Sequence, residues 1–205
     1  MGLDVKITYI NNSWNRDKPT IFVFAKNQAP TFNVLEHGVA WRTISRIGRK
    51  SSSCFIYPQK THVQAMWGEG DKTGILEAAP GQRYTVLEDD TGIVLAHTGK
   101  ATQANAIEVD SQVEVKDGIR AQILKRGSPL MVKNIIAYGQ KATFILHPIL
   151  YWGIAAEIQE GQGIGSAVLN TDRFWAQNIE EISEATVTLV GNATEGYRFV
   201  AKTVF

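Results

Sequence analysis

Along most of this chain, apolar and polar residues alternate with a period of two. Val5, Ile7 and Tyr9 alternate with Lys6 and Thr8, and Val39, Trp41, Thr43, Ser45 and Ile47 share one side of a segment whose other side carries Arg42 and Arg46. Successive side chains of a strand point to opposite faces, so this pattern predicts half-buried strands. The β-branched and aromatic run at residues 21–25 predicts another. The same signals recur at 54–57, 62–67, 83–87, 93–97, 107–109, 113–116, 121–124, 131–138, 142–146, 153–158, 167–169, 185–190 and 197–204. Turn chemistry separates them: Asn11-Asn12, Pro80-Gly81, Asp89-Asp90-Thr91-Gly92, Asp117-Gly118, Gly127-Ser128-Pro129 and Gly191-Asn192. Only two places suit a helix. Residues 32–37 offer one turn. Residues 172–183, with Asp172 as N-cap, fit either a short helix or an irregular connection, since Glu180 and Glu181 sit late and oppose the helix dipole.

Many short strands with closely spaced turns predict an all-β protein of sandwich type. The two halves echo one another. Val5-Lys6-Ile7 resembles Val113-Glu114-Val115, and Phe55-Ile56-Tyr57-Pro58 resembles Ile145-Leu146-His147-Pro148, with Trp67-Gly68 and Trp152-Gly153 following the two prolines. This suggests two tandem sandwich-like units of Greek-key type packed together, at residues 1–102 and 103–205. The alternative is one large β-sandwich built from both halves.

Composition narrows the functional classes. At 205 residues the chain can bury a core without metal or disulfide staples, and its single cysteine, Cys54, forms no intrachain bridge. Lys and Arg total 21 against 20 Asp and Glu, for a net charge of +1. A grip on nucleic acid needs a basic excess, so no nucleic-acid partner is expected; the densest basic stretch, residues 42–50, reads as a solvated strand edge. Near-zero net charge also removes the repulsion that keeps copies apart. The start of the chain, Met1-Gly2-Leu3-Asp4, lacks a signal peptide's apolar block, and no apolar run approaches the ~20 residues of a membrane-spanning helix. A cytoplasmic location without an integral membrane segment is the expectation, with leaderless export the alternative.

Catalytic signatures are thin. Asp90-Thr91-Gly92 matches an aspartic-protease loop, but that chemistry needs two copies, with apolar residues before the Asp; here there is one copy behind Glu88 and Asp89. It reads as a hairpin turn. Gly161-Gln162-Gly163-Ile164-Gly165 lacks the spacing of a phosphate loop and reads as a loop or bulge. His37, His62, His97 and His147 form no HxH or HExxH pattern, and there is no GxSxG elbow. We therefore expect no catalytic residue, no metal site and no cofactor.

The aromatics point elsewhere. Trp41 and Trp67 lie in alternating strands and read as core. Trp14 sits in the polar loop Asn11-Asn12-Ser13-Trp14-Asn15-Arg16-Asp17, where an exposed ring beside amides suits a sugar or a protein partner; the alternative is a ring folded back to cover the end of the sandwich. The candidate ligand contacts are Trp14, Asn12 and Asn15, with Tyr151 and Trp152 as a second aromatic pair. The expected function is a non-enzymatic interaction or self-assembling protein, a homo-oligomer associating through unpaired strand edges such as the apolar C-terminal strand. The alternative is a module binding carbohydrate or a membrane surface, as a leaderless lectin or cytolysin does.

Overall fold

In the computed structural model, which describes residues 4–30, 33, 37–166 and 174–205, strands hold 58% of the chain and helix 2%, so the protein is all-β. The described residues form seventeen strands in four sheets. Sheet I has the order β17-β16-β1-β4, from Gly196–Val204, Glu184–Asn192, Val5–Asn11 and Ser52–Tyr57. Sheet II has the order β15-β14-β2-β3, from Trp175–Asn178, Ile149–Ala155, Thr20–Phe24 and Arg42–Ile44. Sheet III runs β12-β11-β5-β6, from Ser128–Ile136, Ile119–Lys125, Thr61–Trp67 and Asp71–Lys72, with β7 (Leu76–Ala78) also on β5. Sheet IV runs β13-β10-β8-β9, from Lys141–Ile145, Ala106–Ser111, Gln82–Asp89 and Gly92–Lys100.

The chain's two ends thus build sheets I and II, and its middle builds sheets III and IV. Each of these two groups spans a sandwich's worth of strands, but neither matches the expected division. The boundary at 102/103 falls between β9 and β10, two strands of the same sheet, and every sheet draws strands from both sides of it. Long-range pairing overrides the local echo. β1 lies parallel to β16, Lys6 opposite Glu184 and Asn11 opposite Leu189, so the first strand finds its partner near the end of the chain.

Alternation explains which side chains go inward. In β1, Val5, Ile7 and Tyr9 are buried. Trp152 of β14 meets Tyr9, Phe55 and Phe199 at ring separations of 6.4, 6.1 and 5.8 Å, so sheet II packs on sheet I. The same hydrophobic cluster continues into Val63, Ile107, Ile123 and Phe144 of sheets III and IV. Two buried groups tie the sheet pairs together. Trp41 Nε1 donates to Lys125 O at 3.2 Å, and Lys125 Nζ donates to the carbonyls of Pro58 and Gln59 at 2.9 and 2.7 Å. Sheet II is covered on its outer face as well: Phe22, Phe24, Ala155, Ile158 and Ile164 form a second cluster, which explains why β2 is buried throughout.

Several local expectations change. The 172–183 segment contains strand β15 rather than a helix; its start, the 167–169 strand and most of the 32–37 turn lie outside the described residues. Residues 113–116 are not a strand. Gly191 and Asn192 belong to β16, and the turn follows them. Asp89-Asp90-Thr91-Gly92 does join β8 to β9 in a hairpin, with Asp89 Oδ1 accepting from Thr91 N and Oγ1.

Candidate functional site

The residues singled out by sequence fall in different environments. Trp152 is fully buried at the centre of the core and cannot meet a ligand. Its neighbour Tyr151 lies on the opposite face of β14, because adjacent strand residues point apart. Tyr151 is half-buried against Phe24, at 5.4 Å between rings, and Lys26 Nζ sits 4.2 Å above its ring. Burial lowers the Lys26 pKa from its ordinary value. The expected Tyr151–Trp152 contact pair therefore does not exist as one surface.

Trp14 fares differently. It is 56% exposed at the end of sheet I. Its backbone prolongs the β1–β16 ladder: Asn12 N donates to Leu189 O and Trp14 N to Gly191 O, each at 2.8 Å, which sets Trp14 beside Asn192. Fully buried Asn11 organises this tip. Its Nδ2 donates to Asn15 Oδ1 at 3.0 Å and to Ile47 O at 2.7 Å, while its Oδ1 accepts from Ser13 N at 2.9 Å and Ser13 Oγ at 2.6 Å. Lys50 N completes the clamp by donating to Asn11 O at 2.6 Å. One amide thus holds the 12–18 loop against the 46–51 loop.

That clamp brings the basic stretch to the exposed aromatic. The Arg49 guanidinium lies 3.8 Å from the centre of the Trp14 ring, a stacked cation–π contact. Arg46 and Lys50 on one loop, and Arg16 and Lys18 on the other, are all exposed. Lys18, Arg46 and Lys50 each hold a left-handed backbone, with φ of 49°, 58° and 66°. The nearby acids are engaged: Asp17 accepts from the Tyr197 hydroxyl, and Glu195 accepts from Asn192 Nδ2 at 2.9 Å. Burial, aided by the Asp17 carboxylate, pushes Tyr197 up to about 12. The result is a cationic, aromatic tip, its two loops joined by Asn11, on a chain of net charge +1. Asn12 is exposed beside it, and Asn15 is half-buried with its carbonyl oxygen committed to Asn11.

Sequence reading found Trp14 but treated residues 42–50 as an ordinary strand edge. Arg42 fits that description, since it pairs with Glu160 at 3.0 Å. Arg49 does not, and only the Asn11 clamp reveals it. Other features escaped notice because their partners are distant in sequence. Buried Glu108 on sheet IV accepts from Arg83 and Lys141, each at 2.9 Å. Burial alone would raise its pKa, but the hydrogen bonds from Lys141, Thr102 and Arg83 bring it down to about 2. Lys125 is buried, and that burial lowers it to about 8. Both read as structural charges satisfied by neighbours. Among the described residues, no group of three His, Cys, Asp or Glu is placed to hold a metal ion, and no helix is long and apolar enough to cross a membrane.

No family model, curated protein or solved structure matches this chain.

Proposed function

We propose that the protein is a non-catalytic binding protein whose Trp14 tip docks on an anionic membrane surface. The observation that carries this reading is the exposed Trp14 ring stacked by Arg49 and flanked by Arg16, Lys18, Arg46 and Lys50. Indole rings favour the membrane–water interface, and each cation near an anionic leaflet contributes about 1 kcal/mol. The Asn11 clamp holds these groups together before binding, which lowers the ordering cost of docking. A neutral sugar is a poorer match. Arg49 occupies a ring face that a sugar would stack on, and the tip's carboxylates are already hydrogen-bonded.

The test is co-sedimentation with phosphatidylcholine vesicles, with and without phosphatidylserine, at low and high salt. Binding that needs phosphatidylserine, weakens with salt and is lost in Trp14→Ala and in Arg49→Ala/Lys50→Ala supports the reading. Equal binding to both vesicle types, or none, overturns it. Capture by heparin without vesicle binding overturns it too, and reassigns the tip to a soluble polyanion.

A second reading is self-association through sheet I. Its edge strand β17 runs nine residues with no proline, and it leaves Val200, Val204 and the following Phe205 exposed at 48%, 58% and 85%. Unpaired edges of this kind are templates for another strand. Light scattering on a size-exclusion column at two concentrations tests it: a mass above the chain's 22.6 kDa is expected, and a monomer throughout excludes it.

A further inference from the structure

A cleft of about 530 Å³ opens at one end of sheet III and shares no residue with the Trp14 tip. It forms where the β5–β6 turn, the start of β11 and the end of β12 converge. That volume lies within the usual range of small-molecule sites, about 300–1,000 Å³. Two features of its lining call for an occupant.

The first is Arg120. It is half-buried, its Nε is enclosed without a hydrogen-bond partner, and among the described residues no carboxylate pairs with it. The enclosed Nε has no exposed surface, so an occupant would meet the rest of the guanidinium, which matches a carboxylate in planar, two-pronged fashion. The second is Ile135. It is 73% exposed, and its φ is 57°. A β-branched residue in the left-handed region is strained, and nothing buried compensates for it here. The strain sits at an irregularity in the β11–β12 pairing, between Ile119 and Ala121, which turns Ile135 out into the cleft. Across the cleft, Asp117 and Gly118 form a tight turn with left-handed backbone at 63° and 71°, which Asp and Gly tolerate, so the strain is confined to Ile135. Strained backbone held at a cavity rim is characteristic of ligand clamps.

We propose that this cleft binds a small organic acid, its carboxylate on the Arg120 guanidinium and its apolar body between Met66, Trp67 and Ile135. The remaining charges at the rim do not oppose this. Glu69, Asp117 and Lys116 are exposed, so water and salt screen them.

Titration of the ¹⁵N-labelled chain by NMR tests the assignment, with phenylacetate, neutral 2-phenylethanol and phenyl phosphate as probes. Phenylacetate is expected to saturate shifts confined to the amides of residues 66–70, 116–120 and 134–135, and 2-phenylethanol to bind about tenfold more weakly. Arg120→Met is expected to abolish that difference while keeping the fold. Ile135→Gly is expected to raise the melting temperature, because glycine accepts the left-handed backbone, and at the same time to weaken phenylacetate binding. A residue that served only packing would lower the melting temperature instead, and that result overturns the clamp argument. Absence of saturable shifts at about 10 mM, equal binding of the acid and the alcohol, or shifts elsewhere overturns the site. Tighter binding of phenyl phosphate than of phenylacetate overturns the carboxylate assignment.

Discussion

Gly153 sits in β14 directly opposite Phe22 of β2, and the Phe22 ring occupies the space where a side chain would go. A Cβ built on Gly153 would lie 2.2 Å from Phe22 Cζ, 2.6 Å from Cε1 and 2.8 Å from Cε2. Carbon atoms prefer about 3.5–4.0 Å, so the ring would have to retreat by more than about 1 Å. It has little room to do so. Phe22 is fully buried, with Phe24 at 5.8 Å on one side and Phe174 at 6.0 Å on another. In an open strand, Gly→Ala would stabilise by about 0.5–1 kcal/mol through backbone entropy. Here overpacking, at about 1–3 kcal/mol or more, is the larger effect, so Gly153→Ala is expected to destabilise by about 2 kcal/mol. Phe22→Ala alone opens a cavity and should cost about 3–5 kcal/mol. In the double variant the methyl added at position 153 enters vacated space, so the total cost should fall short of the sum by at least about 1 kcal/mol. Urea unfolding followed by tryptophan fluorescence reads all four corners of the cycle, with midpoints compared at matched slopes. Wild-type stability or better in Gly153→Ala, or an additive cycle, would refute the reasoning.

Three further outcomes follow from buried polar groups. Asn11→Ala removes four side-chain hydrogen bonds and strands Ser13 in a buried site; the expected loss is about 2–4 kcal/mol by urea unfolding, with faster amide exchange in the 12–18 loop, and unchanged exchange would refute the clamp. Lys125 has a folded pKa of about 8 against an ordinary 10.5, so the unfolded chain binds more protons between those values and stability should rise with pH across that window, by about 3 kcal/mol relative to Lys125→Met. A pH-independent difference between wild type and Lys125→Met would show the ammonium to be fully compensated by its two carbonyls. Glu108 has a folded pKa of about 2 against 4.5, so its contribution, at most about 3 kcal/mol, is present above pH 4.5 and lost as pH falls toward 2. Glu108→Gln should be less stable at neutral pH and should converge on wild type near pH 2; parallel curves would exclude the linkage.

The sequence by itself determined the all-β class and most strand positions. A period of two is a local property, and Val5, Ile7 and Tyr9 declare their buried face without reference to any partner. The β8–β9 hairpin was equally legible, because Asp89 and Thr91 make the turn within three residues. The polar surroundings of Trp14 left open whether its ring is exposed or folded back over the end of the sandwich, and the structure shows it exposed. The separation of Tyr151 from Trp152 was implicit in the same alternation that predicts strands, since neighbours in β14 cannot share a face. What stayed hidden was every feature that depends on who pairs with whom. A strand pattern carries no address for its partner, so β1 beside β16, and the joining of both chain ends in sheets I and II, could not be read from either strand alone. The segment holding Trp175 is a strand because β14 offers it an edge, which overrides a helical spacing of its apolar residues. Arg49 reaches Trp14 only because Asn11 clamps two loops that lie 36 residues apart. Arg120 lines the cleft, its Nε without a hydrogen-bond partner, only because the irregular β11–β12 pairing and the β5–β6 turn converge there. Alternation is decided within a few residues, whereas the charges and rings that meet at the tip and in the cleft are decided by contacts across the whole chain.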